Sequence, residues 1–278
     1  MTENHITSLQ NQQVKAWRAL RETKGRAAQR LFLAEGDHLA GEALEAGCAK
    51  TLLVAESAVE KYADHLETAR RQNVDRCIVS DHVLAALCDA KAPQGIVAVC
   101  PLPELGRSLP HRSMKLAALN AVQDPGNVGT VLRTLDAAGF DGLLIDRQCA
   151  DPYGPKALRA SMGAVFRVPI YSGDLPEMLT AISETHDLYA GALDGSPYFE
   201  RARRKEGVCV IIGNEGGGIA PAVYAVPGLQ RVKLPMVGGA ESLNASVAGA
   251  IMMYDFLREE LGHGSAITSP SSAESSMA

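Results

Sequence analysis

The sequence predicts an α/β protein of two domains, and three observations predict it. Short β-type runs alternate with helical patterns along almost the whole chain, the alternation that layered α/β folds require. The runs of the second half are longer and apolar on both faces, as central strands of a parallel sheet are. Between the halves, Pro101-Leu102-Pro103-Glu104-Leu105-Gly106-Arg107-Ser108-Leu109-Pro110-His111-Arg112 carries three prolines and a glycine without helical or strand period, a linker composition. At 278 residues the chain can fill two ordinary cores.

Taken in order, the first half offers helical patterns near 8–23, 38–46, 57–71 and 81–88, and β-type runs at 31–34, 51–55, 77–80 and 96–100. Asp37 suits the N-cap of the second helix, and Gly47 stands where a left-handed residue closes it. The second half offers strands at 116–122, 142–145, 188–192, 208–212 and 232–234. Val128, Val131, Leu132 and Leu135 fall at i, i+3, i+4 and i+7 of a helix that Gly139 ends. Asp174 with Glu177 reads as a capping box opening another helix. The chain is therefore divided into a domain over 1–102, a linker over 103–112, a second domain over 113–262, and a tail over 263–278. That tail is rich in serine, and its poverty in apolar residues predicts disorder.

Composition narrows the function classes. With 46% hydrophobic and 21% charged residues and no run of about 18 apolar residues, no membrane span is expected. The start, Met1-Thr2-Glu3-Asn4-His5, lacks the basic and apolar regions of a secretory signal, which places the protein in the cytoplasm. The six cysteines form no C-x-x-C pair, and the seven histidines are dispersed. Free thiols and no metal site follow. The net charge of -5 works mildly against a nucleic-acid partner. Locally, however, Lys15, Arg18, Arg21, Lys24, Arg26 and Arg30 face one acid, Glu22, and form either an RNA-facing patch or a solvated helix face.

Three segments carry chemistry. In Gln123-Asp124-Pro125-Gly126-Asn127, proline and glycine make a turn from strand to helix, with Asn127 as an N-cap. Arg133, on the polar side of that helix, leans toward its N-terminus and so toward the carboxyl end of the sheet, where open α/β sheets bind ligands. The second segment, Gly213-Asn214-Glu215-Gly216-Gly217-Gly218-Ile219, lacks the lysine and hydroxyl of a P-loop and does not fit G-x-G-x-x-G. Its glycines let main chain approach a ligand, while Glu215 is either a solvated charge or a functional contact. The third runs from Leu234-Pro235-Met236 to Glu241-Ser242-Leu243-Asn244-Ala245-Ser246-Val247-Ala248. From Leu243, the positions Val247, Ala250, Ile251, Tyr254, Leu257 and Leu261 trace one apolar stripe, which predicts a buried face. On the other side Ala245, Ser246, Ala248 and Gly249 are small enough to admit another backbone, from this chain or from a second subunit.

In this order and spacing, the three segments resemble the signature motifs of the SpoU family of RNA ribose methyltransferases, within the wider SPOUT class. Lys156-Ala157-Leu158-Arg159-Ala160-Ser161-Met162-Gly163-Ala164-Val165-Phe166-Arg167-Val168-Pro169 is similar to the family's intervening segment. Asn11 to Lys15, Phe32-Leu33-Ala34-Glu35-Gly36 and Ala92-Pro93-Gln94-Gly95-Ile96 resemble the substrate-binding domain of ribosomal-RNA members, which is related to ribosomal protein L30e. The resemblance implies a carboxyl-terminal parallel-sheet domain with a deep trefoil knot, preceded by a small L30e-like α/β domain. It implies S-adenosylmethionine as cofactor, contacted by Gly213, Leu234 and Leu243, and it places Asn127, Arg133, Glu215, Asn244 and Ser246 at the positions of catalysis and substrate placement. It also implies ribosomal RNA as substrate and a homodimer through the carboxyl-terminal domain, for which the small-residue face near Ala248 and Gly249 is suited.

In the family the base role has been assigned to the arginine matching Arg133. A guanidinium with pKa above about 12 is a poor base, so Arg133 is expected to bind the target's phosphate and stabilise the developing alkoxide. Three other readings stand beside this one: the same chemistry on transfer RNA, a non-catalytic RNA-binding or ribosome-assembly module, and an α/β enzyme binding a dinucleotide. The phosphate fingerprint that the last would need is missing. The sequence names neither the nucleotide nor whether its methylation serves ribosome maturation or antibiotic resistance.

Overall fold

A computed structural model describes residues 4–106 and 114–262. The predicted tail, and most of the predicted linker, lie outside the described residues. The chain builds two sheets. The first is formed by β1 (Asn4–Ile6), β2 (Leu31–Glu35), β3 (Thr51–Ala55), β4 (Asp75–Val79) and β5 (Ile96–Pro101), in the order β1-β4-β3-β5-β2. Strands β1, β4 and β3 run parallel, and β5 is antiparallel to both β3 and β2. Around it lie α1 (Gln12–Ala19), α2 (Thr23–Gln29), α3 (Asp37–Glu45), α4 (Ala63–Arg71) and α5 (Asp81–Leu87).

The second sheet is wholly parallel, in the order β11-β9-β10-β6-β7-β8. Its strands are β6 (Lys115–Asn120), β7 (Gly142–Asp146), β8 (Ile170–Gly173), β9 (His186–Pro197), β10 (Gly207–Gly213) and β11 (Leu229–Lys233). The connecting helices are α6 (Pro125–Ala137), α7 (Pro155–Ser161), α8 (Leu175–Ile182), α9 (Pro221–Tyr224) and α10 (Ala245–Gly262). Side chains alternate strictly across it. Leu116, Ala118, Cys209 and Ile211 pack with α8 and α9, while Ala117, Leu119, Val208, Val210 and Ile212 pack with α6 and α10. Both faces being covered is why these runs read as continuously apolar.

The sequence missed β1 and β8, each of four residues or fewer, too short to show a period. The helix expected near 8–23 is shorter, α1 over Gln12–Ala19, and a separate α2 begins at Thr23. Asn11 Oδ1 caps the first by accepting from Gln13 N at 2.8 Å and Val14 N at 3.4 Å. The expected helix 57–71 is a 3₁₀ turn followed by α4. Asp37 is not an N-cap: Gly36, at φ 94°, takes that place, and Asp37 is the first helical residue, donating its N–H to Gln94 Oε1 at 2.7 Å. Gly47 and Gly139 are left-handed as expected, at φ 64° and 66°, and Asp174 Oδ1 accepts from Glu177 N at 3.1 Å.

The faces of α10 are reversed relative to expectation. Ala245, Ser246, Gly249, Met252, Met253 and Phe256 are buried, whereas Val247, Ile251, Tyr254 and Leu261 are 38–47% exposed. The helix lies on β10 and α6. A Cβ at Gly249 would come 2.3 Å from Ile212 Cδ1, so it is the small residues that let α10 seat against its own sheet. The apolar stripe is left outward.

Candidate functional site

The two central strands β10 and β6 lie side by side with Gly213 opposite Asn120. Here the strand order reverses: β7 and β8 extend to one side, β9 and β11 to the other. A crevice forms outside the carboxyl ends of strands at such a switch point, and the three motif segments converge on it.

Asp124 and Pro125 start α6. The Asp124 carboxylate accepts from Gly126 N at 2.7 Å, and Pro125 fills the first helical position, where no N–H is needed. Asn127 is therefore not the N-cap that its sequence position suggested. It lies within the first turn, 8% exposed, with its side chain free to bridge two other segments. Asn127 Nδ2 donates to Glu215 Oε1. Asn127 Oδ1 accepts from Asn244 Nδ2 at 3.1 Å. Asn244 Oδ1 in turn accepts from Ser246 N at 2.9 Å, Ser246 Oγ at 2.7 Å and Val247 N at 3.3 Å, which caps α10. Four of the five predicted polar residues thus form one hydrogen-bonded chain drawn from three distant parts of the sequence.

The fifth does not join it. Arg133 lies on α6 six residues past Asn127, about 9 Å along the axis. It is exposed and makes no hydrogen bond or ion pair among the described residues.

Sequence reasoning missed the floor of the site. Asn214 Oδ1 accepts from Gly216 N and Gly217 N at 2.8 and 3.0 Å, and its Nδ2 donates to Ala121 O at 2.7 Å. Asp146 Oδ2 accepts from Asn120 Nδ2 at 2.6 Å and Ala121 N at 2.8 Å, and Asn120 Oδ1 accepts from Ala220 N at 2.7 Å. Ala121 is held left-handed at φ 54°, an uncommon conformation for a residue with a Cβ. The available signal was a polar residue ending an apolar strand, at both Asn120 and Asp146. Cys149 beside them is not a nucleophile: burial pushes its thiol up to about 12. The Lys156 ammonium bonds the Asp124 carboxylate at 2.6 Å and, with Gly126 N, holds it below the usual carboxylate range.

The loops also fit the expected cofactor. A Cβ at Gly213 would stand 2.5 Å from the carbonyl carbon and oxygen of Gly218, so two main chains pass here with no room for a side chain. Leu234 packs half-buried on the core, and Leu243 is half-buried in the segment leading to Asn244. Main-chain groups and leucines suit a nucleoside with a short sulfonium-bearing chain, and no phosphate cradle is present among the described residues. No group of three metal-ligating side chains occurs among the described residues, nor is any described helix long and apolar enough to cross a membrane.

Known proteins share this fold. Residues 115–254 match the SpoU rRNA Methylase family, and residues 11–98 match the MRM3-like substrate binding domain. The 23S rRNA (guanosine(2553)-2'-O)-methyltransferase RlmP of Bacillus subtilis is 35% identical over 251 residues, covering 90% of this chain and 97% of that protein. An AdoMet-bound rRNA methyltransferase from Sinorhizobium meliloti superposes with a TM-score of 0.80 at 30% identity, covering 93% of this chain and 98% of its own. The SpoU methyltransferase AviRb from Streptomyces viridochromogenes, solved with AdoMet, gives 0.81 at 27% identity, covering 91% and 99%. S-adenosylmethionine is accordingly the cofactor of this fold. The chain belongs to the SpoU rRNA methylase family and carries that family's methylase domain behind an amino-terminal substrate-binding domain.

Proposed function

We propose that the protein transfers the methyl group of S-adenosylmethionine to a ribose 2′-hydroxyl of 23S ribosomal RNA, in the cytoplasm. The observation that carries this reading is the chain Glu215–Asn127–Asn244–Ser246, assembled from all three motifs at the switch point of the parallel sheet. When bound, the cofactor supplies an electrophilic methyl on a sulfonium. Gly213, Leu234 and Leu243 hold it through main chain and apolar contact. Asn127, fixed between Glu215 and Asn244, orients the ribose. Arg133, exposed and uncommitted, takes a phosphate of the target and stabilises the alkoxide as the hydroxyl loses its proton, with that phosphate assisting the proton's departure. Holding the two reactants at about 3–3.5 Å supplies most of the rate.

Two further features belong to this reading. The chain returns from the edge strand β11 to α10, which packs back at the centre of the sheet on β10 and α6; this return supports the trefoil knot as part of the proposal. The outward stripe Val247, Ile251, Tyr254 and Leu261 on α10 supports a homodimer through this domain. The pairing face is thus this stripe rather than the Ala248/Gly249 side, because Gly249 is spent against Ile212.

The test is methylation of total RNA from cells lacking the protein, with radiolabelled cofactor, followed by mapping of the new 2′-O-methyl site. Label confined to one ribose of 23S RNA is expected. Label in transfer RNA would redirect the substrate, and cofactor binding without transfer to any RNA would favour a non-catalytic module.

A further inference from the structure

The run of cations at Lys15 to Arg30 is not one uniform surface. Lys15, Arg18 and Lys24 are exposed, but the Arg26 side chain is 4% exposed and every one of its donor groups is engaged. Nη1 donates to Leu20 O and Arg21 O, each at 2.9 Å, and Nη2 donates to Thr23 Oγ1 at 2.9 Å. Nε and Nη2 both reach Asp151 Oδ2, at 3.0 and 2.6 Å. Asp151 belongs to the other domain, in the segment between β7 and α7. Around this pair the domains are further joined. The Phe32 ring lies 5.1 Å from Tyr153 and 6.0 Å from Phe166. Arg159 bonds Asp89 at 2.8 Å, Arg167 bridges Glu42 and Asp136, and His38 Nε2 lies 3.2 Å from Met162 O.

The segment holding Asp151 also builds the floor of the methyl-transfer site. Ala150 N donates to Val122 O at 2.9 Å, next to Ala121, and Asp146 at the segment's start fixes Ala121 and Asn120. On the other side α7 crosses α6 so closely that a Cβ at Gly129 would stand 2.3 Å from Ala157 O, and α6 carries both Asn127 and Arg133. The contact between domains and the site for chemistry are therefore one continuous packed unit. A buried charge pair satisfied at every donor tolerates little displacement, and a packed interface has discrete rather than sliding arrangements.

We propose that Arg26 and Asp151 are positioning residues. They fix the amino-terminal substrate-binding domain at one distance and angle from Asn127 and Arg133 before RNA arrives, so that the docked pair of domains measures from the RNA feature gripped by the first to the ribose presented to the second. The proposal rests on the ribosomal-RNA reading above. It predicts that loosening the dock spreads methylation onto neighbouring riboses, whereas simple damage to the fold lowers methylation at all positions alike.

The experiment compares the full-length wild-type chain with Asp151→Ala and with the rim variant Arg159→Ala/Arg167→Ala, whose side chains are exposed enough to leave folding intact. Small-angle scattering of the free proteins, cofactor titration and 2′-O-methyl mapping on 23S RNA are the readouts. The wild type is expected to scatter as one docked unit. Asp151→Ala should show a larger maximum dimension, unchanged cofactor affinity, a lower kcat at the wild-type ribose, a KM for RNA raised about tenfold, and an off-target fraction raised about tenfold, as misplacement of about 1 Å is enough to alter reaction rates strongly. The rim variant should show the same pattern more weakly. A docked scattering profile with wild-type fidelity in Asp151→Ala would overturn the proposal; should that variant fail to fold, unchanged fidelity in the rim variant would do so. Wild-type protein that scatters as two independent domains would also overturn it. If the wild type methylates no ribosomal RNA, the proposed function fails and the measuring role with it, while the scattering still decides whether the domains are docked.

Discussion

Asn127 and Arg133 sit on the same helix, six residues apart, and the fold treats them in opposite ways. Asn127 is buried and held by Glu215 and Asn244, so its amide has one orientation. Arg133 is exposed, with no bond among the described residues. The difference separates two kinds of work. Groups that shape the pocket are fixed in advance by the protein, at the expense of rotamer entropy settled during folding. On the proposed reading, Arg133, whose partner would be the substrate's own phosphate, is left free until the substrate supplies that partner.

The largest effect is expected where the comparison is sharpest. Arg133→Ala should lower single-turnover methylation by about 10²–10³-fold while unfolding within about 0.5 kcal/mol of wild type, as an exposed substitution does. A near-normal rate in the folded variant would sink its assigned role. Asn127→Ala should lower the rate by about 10²-fold and also cost about 1–2 kcal/mol, because the buried Asn127 amide gives up its bonds to Glu215 and Asn244. Denaturant titration beside the rate measurement reads both. If Asn127→Ala lost rate without stability, the contrast drawn here would dissolve.

Asn244→Ala removes the cap of α10 and should cost about 1 kcal/mol, seen as a lower unfolding midpoint at constant slope. Ile251→Asp, on the outward stripe of α10, should convert a dimer to monomer in sedimentation while leaving the Asn127 network intact, since Ile251 faces away from it. A wild type that sediments as a monomer at micromolar concentration would refute pairing through this face. The smallest effect is one of pH. His186 is 2% exposed; its Nε2 accepts from Met114 N at 3.2 Å and its Nδ1 lies 2.8 Å from Thr185 Oγ1. Desolvation, foremost among the influences on it, holds its imidazole below the ordinary value of 6.5. The folded state favours the neutral ring and the unfolded chain protonates at about pH 6.5, so this stability is intact above that pH and drains away as pH falls through it. Thermal unfolding across that range should be less pH-dependent in His186→Gln than in wild type.

Much of the fold was legible because its causes are local or periodic. The two-sided apolar strands of the parallel sheet, the left-handed glycines at 47 and 139 and the Asp174 cap each follow from a short stretch of residues. The motif residues were legible as a set through their resemblance to a family. What misled the reading was α10, where an apolar stripe suggested core. Burial depends on which face the sheet can seat, and Gly249 against Ile212 decided that. Asn127 misled in the same way: its cap role passed to Asp124 because Pro125 already supplied a helix start.

The sequence by itself determined the alternation of elements, the parallel character of the second sheet and the identities of the polar residues, because periodicity and residue type act over a few positions. Only the tertiary structure decided that Arg26 serves the contact between domains rather than the RNA-facing surface, that Asn214, Asn120 and Asp146 floor the site, and that Arg133 stands apart from Asn127. Those outcomes rest on contacts between residues about 25 to 125 positions apart, and such contacts are set by how whole layers pack, which no local pattern encodes.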